Sequence, residues 1–395
     1  MTSGETKETT AQHTRHATLE RPALGYFGRN EWAIVGAPCI NIKLLADAVI
    51  KALSPQYKCA YADTSHTDEM VLQSGRLANG AAVEFTDQVN YSQFNYQKKL
   101  NPAMFRQQFN DADLVLVNGN HQQAVNQVVI IYGNKRASLQ KRLEELTNVQ
   151  LILLDDKVDD VFDFIKESIP NLQNIPIFSL NDVSSITDFF RSKLEAAVPP
   201  LSGLVLAGGK SVRMGFDKST VNLYGKEQRY HVADMLQNFC NDVYISCRDD
   251  QKIQISEQYP AITDTFTGLG PFGAILSAFR EYPNRALLVV ACDLLLLDIE
   301  TIDHLVKNRN PSSIATAYKS THDDFPEPLI TIWEPKSYPL LLAFLSQGYS
   351  CPRKVLINSE ITLLNAPYPN ALTNVNTPVD MENIRQELHQ KIAAS

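Results

Sequence analysis

The sequence predicts two α/β domains in tandem, each a doubly wound sheet with helices on both faces. Three observations carry that expectation. Short β-branched runs alternate with helix-period segments from Glu31 onward, and the runs are nearly continuous in apolar residues, as strands buried on both faces of a parallel sheet are. The stretch AVPPLSG, Ala197 to Gly203, carries two prolines, ends one helix and precedes a fresh series of the same alternation. The 395 residues exceed one ordinary core and suit two domains of common size.

The polar opening MTSGETKETTAQHTRHATLE has no apolar segment of the secretory kind, and residues 1–25 read as a disordered lead-in. The first domain, 26–196, reads as strand EWAIVGAP, helix IKLLADAVIKAL and strands in KCAYAD, DADLVLVNGN and NQVVIIYG. Helix SLQKRLEEL, strand VQLILLDD, helix VDDVFDFIKES, strand IPIFSL and helix DVSSITDFFRSKLEAA complete it. After a linker at 197–203, the second domain, 204–395, opens with strand LVLA, a glycine loop, helix RYHVADMLQNF and strand VYISCR. Helix GAILSAFREY, strand ALLVVAC, helix ETIDHLVKN, strands SIATAYK and LITIW, helix SYPLLLAFLSQ and a helix after NTPVD close it.

With 44% hydrophobic and 20% charged residues the chain has the makeup of a globular protein. A formal charge of −8 argues against nucleic-acid binding through the overall field, while leaving room for a local basic pocket. The apolar stretch ALLVVACDLLLLD is too short to span a membrane and is broken by Asp293. Cys39, Cys59, Cys240, Cys247, Cys292 and Cys351 show no CxxC spacing and read as reduced thiols of a cytoplasmic protein.

The chemistry is expected where strands end. LAGGKSVRMGFDK, Leu206 to Lys218, follows an apolar strand but fits neither GxxxxGK[ST] nor GxGxxG. Gly208 and Gly209 let backbone amides approach an anion, and Arg213 and Lys218 bring two cations to the same mouth. Asp293 follows a wholly apolar strand, a costly place for a charge unless a cation such as Mg²⁺ on nucleotide phosphates neutralises it. Asp264 precedes TFTGLGPFGA, whose glycines permit a tight loop over a ligand. Each feature alone has an ordinary explanation: a turn, a solvated charge, a cap. Asp217 reads as a cap or loop residue and His231 as packing. Their conjunction at successive strand ends points to a nucleotide triphosphate pocket.

LAGGKSVRMGFDK resembles the LAGGxSxRMGxDK signature of the MobA family of molybdenum cofactor guanylyltransferases. The resemblance continues in order through HVADML, TGLGPFGAI, VVACDLLLLD, EPLITIW and TNVNTPVDMENI, about 195 residues from Leu201. It implies that Leu206, Ala207 and Gly208 line a guanine nucleotide, Lys218 meets its phosphates, Asp264 assists binding and Asp293 ligates Mg²⁺. It also sets Asn374 and Asn376 near the pterin side. Ser246 stands where the family usually has Asn, GPFGA replaces GPLAG, and CDLLLLD loses a proline while keeping the aspartate. The implied reaction joins GTP and Mo-molybdopterin into molybdopterin guanine dinucleotide and pyrophosphate. Alternatives are the cytidylyltransferase of the same cofactor, another nucleotidyltransferase, or a non-catalytic GTP-sensing or molybdopterin-delivery protein. Cytidylyltransferase relatives tend to carry LAAG, and LAGG favours guanine. Implied partners extend to molybdoenzyme apoproteins and other cofactor-biosynthesis proteins, with a homo-oligomer compatible.

Upstream, GAPCINIK at 36–43 occupies a P-loop's place, but Asn41 and Ile42 replace its glycine and lysine and Lys43 comes one position late. KCAYADTSH, DADLVLVNGN, LILLDD and IPIFSLNDVSSITDFFRSKL resemble, in order, the MobB family of P-loop GTP-binding accessory proteins over roughly 32–194. Asn118 stands in place of that family's glutamate. Asp63 and His66 are candidate remnants of a ligand site. The first domain is expected to be a degenerate module without nucleotide hydrolysis, leaving the chemistry downstream of Gly203.

Overall fold

The computed structural model of the chain describes residues 26–65, 75–208, 218–375 and 382. Its N-terminal half holds six parallel strands in the order β2-β5-β1-β6-β7-β8: β1 (Glu31–Val35), β2 (Cys59–Ala62), β5 (Leu114–Asn118), β6 (Asn126–Ile131), β7 (Val149–Leu154) and β8 (Ile177–Ser179). Every residue of β1 and β5 is buried, which is why these strands run apolar without alternation apart from Glu31 at the start of β1 and Asn118 at the end of β5. Helix α1 (Cys39–Leu53) buries Ile42, Leu45, Ala46, Val49 and Leu53 at helical spacing. It shares one sheet face with the later helix Val183–Ala196, where Phe190 packs edge-on to Trp32. The opposite face is covered through Leu139 and Ile165.

Between β2 and β5 lie a two-stranded antiparallel hairpin, β3 (Val83–Asp87) and β4 (Ser92–Tyr96), and the short α2 (Pro102–Gln107). The expected helix SLQKRLEEL is shorter than its pattern suggested: α3 covers Arg136–Gln140 and a 3₁₀ turn covers Leu143–Glu145. Arg142, between the two, donates through its guanidinium to the carbonyls of Gly119 and Asn120. VDDVFDFIKES likewise yields only α4 (Asp163–Ser168), followed by α5 (Val183–Ala196), which Asp182 caps by accepting from the Ser185 amide.

The C-terminal half is a seven-stranded sheet in the order β11-β10-β9-β12-β14-β13-β15. Its strands are β9 (Leu201–Leu206), β10 (Asp242–Cys247), β11 (Ala261–Thr263), β12 (Ala286–Ala291), β13 (Ala315–Lys319), β14 (Pro326–Trp333) and β15 (Thr362–Leu364). β9 starts at Leu201, taking the last three residues of the 197–203 segment, because Leu201, Ser202 and Gly203 are buried and pair with both neighbours. The sheet is mixed: β14 follows β13 by a short connection and runs antiparallel to β12 and β13.

One face carries α6 (Gln228–Leu236) and α8 (Ile299–Lys307), through Val232, Leu236, Ile302 and Leu305. The other carries α7 (Pro271–Glu281), α9 (Ser337–Ser346) and α10 (Pro352–Ile357). The helix expected after NTPVD lies outside the described residues, as does His66. No helix among the described residues is long and apolar enough to cross a membrane.

The halves meet through buried polar contacts. Lys336, just before α9, donates to Asp113 Oδ1 and the Asp111 carbonyl, each at 2.8 Å, and to the Ser312 carbonyl at 3.1 Å. Arg309 pairs with the fully buried Glu334 at 2.7 Å and donates to the Pro199 carbonyl. A cleft of about 570 Å³ lies at this junction, beside the amino ends of β1 and β9 and away from the strand ends where open α/β sheets bind ligands.

Candidate active site

A second cavity, of about 240 Å³, opens at the carboxyl ends of β9, β10 and β12. The connection from β9 runs toward β10, while β12 pairs on the other side of β9, so this is the switch point of the second sheet. Leu206, Ala207, Gly208, Lys218, Ser246, Asp264 and Asp293 all line it. Residues separated by up to 87 positions in sequence (206 to 293) thus share one mouth. Gly209 and Arg213 lie outside the described residues, as do Asp217 and Asn376.

Asp293 stands two residues beyond β12, whose apolar run delivers the carboxylate into a half-buried position. Lys218 Nζ stands 3.9 Å from its Oδ2. Its Oδ1 is buried with no hydrogen-bond partner. Burial pushes the carboxyl above the usual aspartate range, the Lys218 cation opposes the shift, and Glu327 adds to it. An orphaned, desolvated carboxylate oxygen beside a lysine fits a hard divalent cation. No group of three or more His, Cys, Asp or Glu fit to hold a metal occurs among the described residues. Asp293 Oδ1 could offer such a cation one carboxylate oxygen, and hard divalent cations are commonly held by one or two carboxylates together with phosphate oxygens of a ligand.

On the β10 side, buried Ser246 donates to Asp264 Oδ1 at 2.9 Å. Burial raises the Asp264 carboxyl, while the Ser246 hydrogen bond and the Arg248 charge hold it down. The serine found in place of the usual asparagine therefore fixes the orientation of Asp264. Gly208 does not have a positive φ, and a Cβ there would meet Asp264 Oδ2 at an ordinary 3.5 Å. Glycine at 208 thus keeps the pocket wall low rather than relieving strain. The glycine of GPFGA has a steric reason: a Cβ on Gly273 would lie 2.2 Å from the Phe266 carbonyl oxygen, so α7 packs directly under the loop after Asp264.

Asn374 is not among the lining residues, but it adjoins the site: the amide of Val375 donates to the Asp293 carbonyl at 3.0 Å, and Asn374 Oδ1 is buried without a partner. His231 stacks on Tyr224 with ring centroids 4.1 Å apart, and burial lowers its pKa, consistent with a packing residue. Asp63 accepts from Tyr61 and the Thr64 amide and sits 3.5 Å from Lys43.

Sequence reasoning passed over Arg248. Its guanidinium donates to the Gly208 carbonyl at 2.8 Å and pairs with Asp250, holding the loop after β9 against the end of β10. The available signal was a cation directly after the strand YISC, next to Ser246. Gly270, one of the glycines expected to form a tight loop over a ligand, lines the pocket too, and so do Ser219, Pro271 and Leu329, which had not been singled out.

A MobA-like NTP transferase domain matches residues 203–361, spanning every strand that builds this pocket. A probable molybdenum cofactor guanylyltransferase from Carboxydothermus hydrogenoformans is 30% identical over 192 residues, 47% of this chain and 94% of that protein. The chain belongs to the MobA-like NTP transferase family. Its C-terminal half carries that membership and is a nucleotidyltransferase domain. The molybdenum cofactor biosynthesis bifunctional protein of Synechocystis is 32% identical over 193 residues, and the chain spans only 56% of its length. The crystal structure of molybdopterin-guanine dinucleotide biosynthesis protein A from Archaeoglobus fulgidus covers 48% of this chain and 99% of its own, at 23% identity and a TM-score of 0.42.

Proposed function

We propose that the C-terminal half transfers GMP from GTP to Mo-molybdopterin, giving molybdopterin guanine dinucleotide and pyrophosphate. The observation that carries this reading is the pairing of Lys218 with a half-satisfied Asp293 at the switch point of a MobA-like sheet.

In this reading Leu206, Ala207 and Gly208 lie along the nucleotide, with Gly209 and Arg213 completing the loop. Lys218 neutralises phosphate charge, and Asp264, oriented by Ser246, contacts the nucleoside end. Asp293 Oδ1 is the protein's oxygen for a divalent cation, Mg²⁺ in our reading, which when bound spreads the charge of the polyphosphate. The terminal phosphate of molybdopterin attacks the α-phosphorus, a new P–O bond forms, and the bond to the bridging oxygen breaks with pyrophosphate leaving in line. The nucleophile is already an anion, so no general base is required, and positioning with charge neutralisation carries the rate. In this reading Asn374 and Asn376 serve the pterin side.

For the remainder of the chain we infer a degenerate MobB-like module over 26–196, joined through 197–203 to the transferase domain at 204–395. Its loop lacks the glycine and lysine of a working P-loop, and it serves assembly or presentation of the pterin. Molybdoenzyme apoproteins and other cofactor-biosynthesis proteins are the macromolecular partners this role implies, in the cytoplasm.

Thermal shift with GTP, CTP, ATP and UTP, each with and without Mg²⁺, tests the nucleotide assignment. Ligand at 100 times its Kd stabilises by about 2.7 kcal/mol. Mg²⁺-dependent stabilisation by GTP alone is expected. A CTP preference would transfer the reading to a cytidylyltransferase, a reading that Ser246 and GPFGA keep open, and no response to any nucleotide would end both.

A further inference from the structure

The crevice at the carboxyl ends of β1 and β6 has its own chemistry, independent of the transferase reading. It encloses about 280 Å³ and is lined mainly by polar side chains. The connection after β1 enters α1 on one face of the sheet and that after β6 enters α3 on the other, so the crevice is the switch point of the first sheet. Gly36, at φ +100°, lets the loop hug β6; a Cβ there would lie 2.4 Å from the Ile130 carbonyl oxygen.

Cys39 is the first residue of α1, and its Sγ is 3.2 Å from His121 Nε2. His121 is held by its backbone. Its amide donates to the Asn118 carbonyl, and Arg142 anchors the two preceding carbonyls at 3.1 and 2.8 Å. Asn120 Nδ2 ties this turn to the Ala37 carbonyl at 2.8 Å. Lys135 and Arg142 face the pair across the crevice. Lys43, the misplaced P-loop lysine, instead pairs with Asp63 and is not among the lining residues. Burial pushes the Cys59 thiol to about 11 and the Cys240 thiol to about 12, and raises Cys247 as well, whereas Cys351 is exposed on the other half of the chain.

We propose that Cys39, with His121 as its proton acceptor, is a nucleophilic thiol site that takes an anionic low-molecular-weight disulfide. The Sγ proton passes to His121 Nε2, and the sulfur attacks one sulfur of the disulfide. The disulfide's own S–S bond breaks as the bond to Cys39 forms, and the departing thiolate takes the proton from His121. The products are a mixed disulfide on Cys39 and one free thiol, with no further oxidant required. A thiolate there meets the amino terminus of α1, and an anionic reagent meets Lys135, so the site selects by charge.

The test treats the full chain with oxidised glutathione, and separately with the neutral bis(2-hydroxyethyl) disulfide, and follows each cysteine by peptide mass spectrometry. Cys39 is expected to be modified by oxidised glutathione at least about tenfold faster than Cys351, the internal reference. Lys135→Glu should remove the preference for the anionic reagent, and His121→Gln should slow both reagents at Cys39, with the Cys351 rate unchanged in either variant. A Cys39 rate no greater than that of Cys351, or an anionic preference that survives Lys135→Glu, would overturn the proposal.

Discussion

Lys218 Nζ stands 3.9 Å from Asp293 Oδ2, while the other oxygen of the same carboxylate is buried and unpartnered. A desolvated charge with half its acceptor capacity idle weakens the ligand-free fold and becomes useful only when a cation arrives. Asp293→Asn is therefore expected to lower turnover by about 10² or more, the scale of losing one preorganised electrostatic group. The same variant should not lower the Tm of the nucleotide-free protein. Pyrophosphate release gives the first quantity and differential scanning fluorimetry the second; near-normal release would remove Asp293 from its assigned role.

The pH dependence follows from the raised Asp293 carboxyl. A folded-state value above the unfolded one means that the folded chain binds more protons between the two, so this group's contribution to stability falls as pH rises through that window. Urea midpoints should show a decline there that is steeper in the wild type than in Asp293→Asn, the remainder coming from the Asp264 and Glu31 carboxyls, which burial raises as well. Binding of Mg²⁺ with GTP runs the other way. It needs the ionised carboxylate and should weaken, as pH falls, at a higher pH than an ordinary aspartate would give.

Arg248 acts on the nucleotide loop through the Gly208 carbonyl. Arg248→Ala is expected to raise KM for GTP by about tenfold, the scale of one hydrogen bond from a charged donor, with a smaller change in kcat. Steady-state kinetics separates the two; an unchanged KM would show that the loop holds its shape without the arginine.

The junction between the halves depends on Lys336, almost wholly buried and paired with Asp113. Lys336→Met leaves that carboxylate without its cation and should cost about 3 kcal/mol. Calorimetry is expected to resolve two unfolding transitions in this variant in place of one, and an unshifted single transition would contradict a coupling role for the pair.

The central strands were legible because EWAIV, LVLVN and ALLVVA run apolar without alternation, Glu31 and Asn118 at their ends excepted, a pattern that burial on both faces explains. The pocket was legible for a related reason: Gly208, Asp264 and Asp293 stand just beyond strand ends, and Lys218 ends the glycine-rich sequence that follows β9. The hairpin β3–β4 was not. Its exposed Phe85 and Phe94 pack on each other rather than into a core, so no burial pattern announced it. Arg248 also escaped notice, because its role depends on a carbonyl 40 positions away that only the tertiary fold brings near. The mixed sheet arises from β14 turning back antiparallel, and an apolar strand reads the same in either direction.

The most direct measurement is transfer itself: α-³²P-labelled GTP incubated with the full chain, Mo-molybdopterin and Mg²⁺, followed for label in a pterin dinucleotide and for released pyrophosphate. Equimolar dinucleotide and pyrophosphate, dependent on Mg²⁺ and lost in Asp293→Asn, is the expected result. Label that stays in GTP while labelled CTP is transferred, or no transfer from either nucleotide, would contradict guanylyl transfer at this site.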